Sequence, residues 1–153
     1  MKMKKLFLSF IAILLVFITG CEKVEQGSYK EGTYMGYDSY ESYDEKYVTT
    51  AIIYVDENGM IKSCYIDSTY DKDGANTTKK VLGDDYDMKE TSASIGVIPG
   101  GAEWYEQADH FMNLAKDKTL ADIKAIAVDE GGYPTSDEMK AGCTMKVSAY
   151  IAA

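Results

Sequence analysis

Few side chains in this sequence can do chemistry unaided. One histidine, His110, and three cysteines, Cys21, Cys64 and Cys143, are its whole supply of imidazole and thiol, which leaves little material for a zinc site. Any Ser-His-Asp or Cys-His assembly would have to use His110, and nothing in the sequence aims it at Cys64 or Cys143, so the residue types argue against a hydrolase. Asp71-Lys72-Asp73-Gly74 has the look of a calcium loop. Its glycine comes too early, however, and the twelfth position is Leu82 instead of a bidentate glutamate, so the segment reads as a turn. What remains is a run near the end of the chain, Glu138-Met139-Lys140-Ala141-Gly142-Cys143-Thr144. It combines an acid, small residues, a thiol and a hydroxyl.

The 153 residues suit one domain, and 46% hydrophobic with 27% charged is an ordinary globular balance. Against 25 acidic residues stand 16 basic ones, all lysine, for a net charge of −9. A nucleic-acid partner is excluded on charge, because neutralising phosphates needs a basic face. Without arginine the chain also lacks the bidentate clamp for phosphate and carboxylate.

Residues 1–20 read as an export signal. Lys2, Lys4 and Lys5 form a positive start, and Leu6 to Ile18 is an almost unbroken apolar run, short of the roughly 20 residues a membrane span needs. Ile18-Thr19-Gly20-Cys21 resembles the lipobox of bacterial lipoproteins. That resemblance implies cleavage before Cys21 and diacylglycerol on its thiol, which places the protein outside the cytoplasm, anchored to the cell membrane. Loss of 1–20 removes three lysines and no acid, so 13 Lys face 25 acidic residues and the net charge becomes −12. Such a domain is repelled by anionic headgroups, so the lipid must hold it. Residues 21–30 then serve as lipidated cysteine and tether, and 31–153 as the folded domain. Cys64 and Cys143 are left to pair or to stay free, as geometry decides.

The elements that would position the 138–144 run follow from pattern. Tyr29, Tyr34, Tyr37, Tyr40, Tyr43 and Tyr47 suit an edge strand with a loose turn over 38–44, or an aromatic platform for a ligand. Runs 46–56 and 60–70 are dense in β-branched and aromatic residues, and Asn58-Gly59 between them signals a hairpin in which both residues accept positive φ. Ala75 to Leu82 reads as one helical segment, and Ile98-Pro99-Gly100-Gly101 as a break. Over Ala102 to Lys116 the residues Trp104, Ala108, Phe111 and Ala115 fall on one stripe, the spacing of a helix with its apolar face inward. Glu103, Glu106, Asp109, His110 and Asn113 lie off that stripe. Thr119 with Asp122 reads as an N-cap with its partner, and Thr135 with Glu138 as a capping box. Met145 to Ala153 suits a strand or a last helix, helix being preferred. The fold class is therefore α+β, a small antiparallel sheet with helices packed on it.

Glu31-Gly32-Thr33-Tyr34-Met35-Gly36, the β-rich run, and Asn58-Gly59-Met60-Ile61 together resemble the start of the FMN-binding domain family. Gly83-Asp84-Asp85-Tyr86-Asp87-Met88-Lys89 and Glu103-Trp104-Tyr105-Glu106-Gln107-Ala108 resemble a lipoprotein branch of it. The family includes flavin-bearing subunits of the sodium-pumping quinone reductase and the Rnf complex, and lipoproteins that pass electrons outside the cell. Its signature, Asp-x-x-Ser-Gly-Ala-Thr, is matched here by Glu138 to Thr144, with Gly142 and Thr144 kept and Glu138, Ala141 and Cys143 substituted.

The resemblance implies FMN joined through its phosphate to the Thr144 hydroxyl by a flavin transferase, with Glu138, Ala141, Gly142 and Cys143 forming the attachment turn. The partners it implies are that transferase and a membrane electron donor. A domain at −12 disfavours anionic reduced flavin and pushes the potential low. The alternative is a cofactor-free surface binding or interaction module of the same fold. A third reading makes the released segment Leu14 to Gly20 the product. In each case the chain is a carrier or binder more than a catalyst.

Overall fold

The structure, a computed structural model, describes residues 27–42 and 45–153. The expected signal segment, Cys21 and the tether up to residue 26 lie outside the described residues. Four antiparallel strands, β1 (Gly32–Ser42), β2 (Glu45–Val55), β3 (Ile61–Lys72) and β4 (Ala75–Thr78), form a meander in sequence order. β1 is an edge strand, as its tyrosines suggest, and it continues through Asp38 to Ser42 where a turn was expected. The Asn58-Gly59 hairpin forms between β2 and β3 with a different turn. Gly59 alone has positive φ (75°), and its N–H donates to Asp56 O at 2.9 Å. Asp56 Oδ1 meanwhile accepts from the N–H groups of Asn58 and Met60. This is a turn closed by a left-handed glycine rather than a two-residue loop. A side chain at Gly59 would also collide with Gly27, whose Cα lies 2.6 Å from where a Cβ would sit.

The register slips by one residue at the start of β3, with Tyr54 opposite Ser63 and Val55 opposite Ile61. That bulge turns both Ile61 and Cys64 toward the helices. Asp73-Gly74, both at positive φ (56° and 83°), joins Lys72 to Ala75 as a two-residue turn. The helix expected over 75–82 is therefore half strand. Asn76, Thr77 and Thr78 pair with β3, because the tight Asp-Gly turn returns the chain along it and threonine suits a strand. Only α1 (Lys79–Leu82), capped by Thr78 Oγ1, is helical.

A 3₁₀ turn (Gly83–Tyr86) and five further helices follow: α2 (Lys89–Ile95), α3 (Trp104–Ala115), α4 (Leu120–Lys124), α5 (Asp137–Lys140) and α6 (Ser148–Ala152). The protein is α+β, a four-stranded antiparallel sheet with helices packed against it. Among the described residues no helix is long and apolar enough to cross a membrane. In α3 the expected stripe is the buried face, Trp104, Ala108, Phe111 and Ala115 all being core. Glu103 departs from expectation. It is buried as the N-cap of α3, and its carboxylate accepts the N–H groups of Met88 (2.9 Å) and Lys89 (3.1 Å). It joins a capping box with Glu106. Thr119 and Asp122 cap α4 as expected.

The inner sheet face divides in two. Toward the hairpin it is aliphatic, with Ile53, Val55, Ile61 and Ile66. Toward the other end it is aromatic: Tyr40 stacks on Tyr47, its cross-strand partner, Tyr47 on Tyr70, and Tyr70 meets Tyr86 edge-on, with centroids 5.1–6.2 Å apart. Of the six early tyrosines Tyr43 lies outside the described residues, and the other five form no single platform. Tyr34, Tyr40 and Tyr47 pack inward, while Tyr37 is exposed on the opposite face.

Lys79 enters the aromatic end with only 8% of its surface exposed. Its Nζ lies 5.0 Å from the Tyr47 ring, 5.1 Å from Tyr86 and 5.8 Å from Trp104. Burial pushes its amine down to about 8, and the ring faces, which favour the ammonium, oppose that shift. An unfolded lysine titrates near pH 10.4, so between about pH 8 and 10 the unfolded chain binds the extra proton and folding stability rises with pH. Tyr86, pushed up to about 12 by burial, works the other way. Unfolded tyrosine ionises near pH 10, so above about that point stability falls. Urea unfolding across pH 7–11 should therefore show a maximum near pH 10. Lys79→Met should abolish the rise below it and add on the order of 1 kcal/mol at pH 7.

Candidate functional site

The 138–144 run takes in the last three residues of α5 and the turn that follows it. That helix starts one residue later than expected. Ser136, not Thr135, is its N-cap, accepting the Met139 N–H at 3.3 Å, while Thr135 donates its hydroxyl to Ala127 O. Glu138 closes no capping box. Its side chain is exposed, since the shift moves it from the third helical position to the second, where it cannot reach back to the cap. Met139 is buried and anchors the helix. Ala141 is exposed, Gly142 half-buried, Cys143 fully buried and Thr144 half-buried.

Two residues of α3 hold this turn. His110 donates its Nε2–H to the Glu138 carbonyl, 3.1 Å away, and its ring packs against Gly142. A Cβ on Gly142 would stand 2.3 Å from His110 Nδ1 and 2.4 Å from Cγ. The second residue, Gln107, is completely buried. Its Nε2 donates to Ala102 O (3.0 Å) and Ser92 Oγ (3.2 Å). Its Oε1 accepts both the backbone N–H of Thr144 (2.9 Å) and the Thr144 hydroxyl (3.2 Å). Every hydrogen-bonding position of the amide is thus filled.

Cys143 and Cys64 are both free thiols. Burial pushes each up to about 11, so both are neutral and poor nucleophiles near pH 7. His110, engaged with a carbonyl on the far side of Gly142, has no nucleophile in hand. Positive charge near the turn comes from Lys140, 3.1 Å from Asp137, and from Lys146, whose Nζ sits 5.8 Å from the Tyr133 ring.

The expected site residues are therefore together in space, but Gln107, which fixes Thr144, was not among them. A signal for it existed. It stands three residues after Trp104 and four before Phe111, on the apolar stripe, and a polar side chain there must be bonded inside the protein.

For FMN at Thr144 the donor set fits. Thr144 is half-buried beside Ala141 and Gly142, and esterification of its hydroxyl would cost it the bond to Gln107 while the Thr144 N–H kept Gln107 occupied. Gly142 should be sensitive. Gly142→Ala is expected to destabilise the domain by about 1–3 kcal/mol, and His110→Ala in the same chain should recover most of that loss, read as urea midpoints in a double-mutant cycle. No protein-family model, curated protein or solved structure matches this chain.

Proposed function

We propose that the chain is an extracytoplasmic lipoprotein, held at the membrane by lipid on Cys21, whose folded part is an FMN-binding-type carrier with FMN esterified to Thr144. The observation that carries the reading is the seat of that hydroxyl: half-buried, on a surface turn, with its position set by a fully buried glutamine. Bound there, the flavin would supply one-electron transfer between a membrane donor and an acceptor outside the cell.

The chain's own residues have simpler tasks. Gln107 Oε1 takes the hydroxyl hydrogen and so fixes the direction of the oxygen's lone pairs. Gly142 and Ala141 keep the approach narrow enough for another enzyme's active site. Lys140 and Lys146 flank Thr144 in sequence and are the cations a phosphodiester there would draw on, Lys140 by giving up Asp137 and Lys146 by leaving the Tyr133 ring. Among the described residues the Thr144 hydroxyl meets only the Gln107 amide, which is no base, and that leaves removal of the proton to the transferase. A covalent ester also needs no deep pocket, consistent with so shallow a turn.

One observation favours the cofactor-free alternative. Gln107 already accepts both donors of Thr144, so the buried polar network is complete with no ligand bound. Co-expression of residues 22–153 with a flavin transferase separates the two readings. A flavin-sized mass gain and yellow colour are expected, kept in Thr144→Ser and lost in Thr144→Ala. Colourless protein of unmodified mass would retire the carrier and leave the binding module. In the full chain, Cys21→Ser should move the protein from the membrane to the soluble fraction.

A further inference from the structure

Between the aliphatic half of the sheet and helices α3, α4 and α6 lies a cavity of about 210 Å³. Ile53, Cys64 and Ile66 wall it from the strands, and Phe111, Ile123 and Tyr150 from the helices. It opens to solvent beside Met35, which is 72% exposed, and Tyr29, which meets Tyr34 edge-on at 5.2 Å. None of Glu138 to Thr144 lines it, so it is separate from the attachment turn.

Its lining is unlike the rest of this protein. In a chain with 27% charged residues, no charged side chain among the described residues borders the cavity. Of the polar groups on its wall, the Tyr34 hydroxyl donates to Lys30 O and the Tyr150 hydroxyl faces Met145 Sδ at 4.0 Å, while the backbone oxygen of Ala153 lies on the Gly36 side. The Cys64 thiol remains, kept neutral by its burial. A charged guest would leave its charge unpaired in largely apolar surroundings, whereas a hydrocarbon would gain contact with both the strand and the helix walls. Size narrows the class further. A dry apolar cavity of about 150 Å³ holds benzene, so this one scales to a guest of about eight carbon atoms. Interiors are ordinarily packed with few voids larger than a water molecule, and this cleft reaches from the surface to the core residues Ile61, Ile66 and Phe111.

We propose that this cavity is a binding site for a small neutral hydrocarbon group, an alkylbenzene or branched alkyl of about eight carbons. The guest enters between Tyr29 and Met35 and lies against the Cys64 thiol. Binding stabilises the folded domain and shields that thiol from solution.

Ethylbenzene is the probe, with octanoate as its charged counterpart. All described elements and the described core fall within 27–153, so residues 22–153 carry the described fold. At ten times its Kd, ethylbenzene should raise the melting temperature by about 3 °C or more. It should also slow modification of Cys64 by methyl methanethiosulfonate at least fivefold, while the reaction of free cysteine in the same solution is unaffected. Octanoate should bind at least tenfold more weakly. Ala51→Leu, which places a larger side chain on the cavity wall, should lose the ethylbenzene effect while Thr144→Ala keeps it.

Failure of ethylbenzene to shift melting and to protect Cys64 in the unsubstituted chain would overturn the site, whether or not Ala51→Leu folds. Equal binding of octanoate would overturn its neutral character, and protection surviving in folded Ala51→Leu would overturn its location. Because Thr144 takes no part, each outcome is independent of whether flavin is attached.

Discussion

One buried amide organises the helical side of this protein. Gln107 is fully enclosed, and an amide in that position is tolerated only if its donors and acceptor are all engaged. Satisfying them fixes three separate pieces of chain. Ser92 on α2 and the carbonyl of Ala102 take the N–H groups, and Thr144 brings two donors to the oxygen. Ser92 Oγ also accepts the N–H of Ala102, which closes the group on itself. Beside it, Glu103 does the same for the start of α2 through Met88 and Lys89. Loops that no apolar pattern would dock are held by these two side chains. Their placement at the start of α3 makes that helix the frame for everything after residue 86.

The sheet meets that frame with two different surfaces, and the division explains much of the molecule's character. Aliphatic side chains near the hairpin pack against α3, α4 and α6 but leave a cavity between them. Stacked tyrosines at the other end enclose the Lys79 ammonium. Each half is uncomfortable in its own way, one by unfilled volume and the other by a desolvated charge. An aromatic lining suits the second because ring faces attract a cation while their edges pack like hydrocarbon. A second ammonium or an aliphatic residue in place of Tyr47 or Tyr86 would lose that compensation.

Much of this was legible in residue order. Asn58-Gly59 fixed the β2–β3 pairing, the Trp104–Ala115 stripe fixed the buried face of α3, and Thr119 with Asp122 fixed the start of α4. These are local signals, each decided within a few residues. Where sequence reading failed, a local preference met a longer-range demand. Ala75 to Thr78 is strand because the Asp73-Gly74 turn returns the chain along β3, and no helical propensity competes with a ladder so placed. Glu103 lies off the apolar stripe, and its burial comes from the start of α2, whose Met88 and Lys89 N–H groups donate to its carboxylate. Thr135 and Ser136 are both competent caps, and the isolated bridge of Val128 with Pro134, with the bonds of Thr135 to Ala127, leaves Ser136 as the free one. The residues of the 138–144 turn were readable as a group, but their anchor was not.

The same physics bears on what a hydroxyl at position 144 can do. A threonine on a mobile loop would present its oxygen in many directions, and an attaching enzyme would have to select one. Here Gln107 limits that freedom before any partner arrives, because one oxygen receives both the N–H and the hydroxyl of the same residue. The arrangement is equally good at holding Thr144 as plain structure. The two roles make opposite demands on the hydroxyl alone: an attachment point must surrender its hydrogen bond, and a structural threonine must keep it. Thr144→Ser retains the hydroxyl and Thr144→Val retains the shape. Stability compared between them therefore isolates the contribution of that one bond, on the order of 1 kcal/mol. If the bond contributes little to folding, esterification costs the domain little, and the seat is compatible with a carrier. If it contributes much, the oxygen is already committed to the fold.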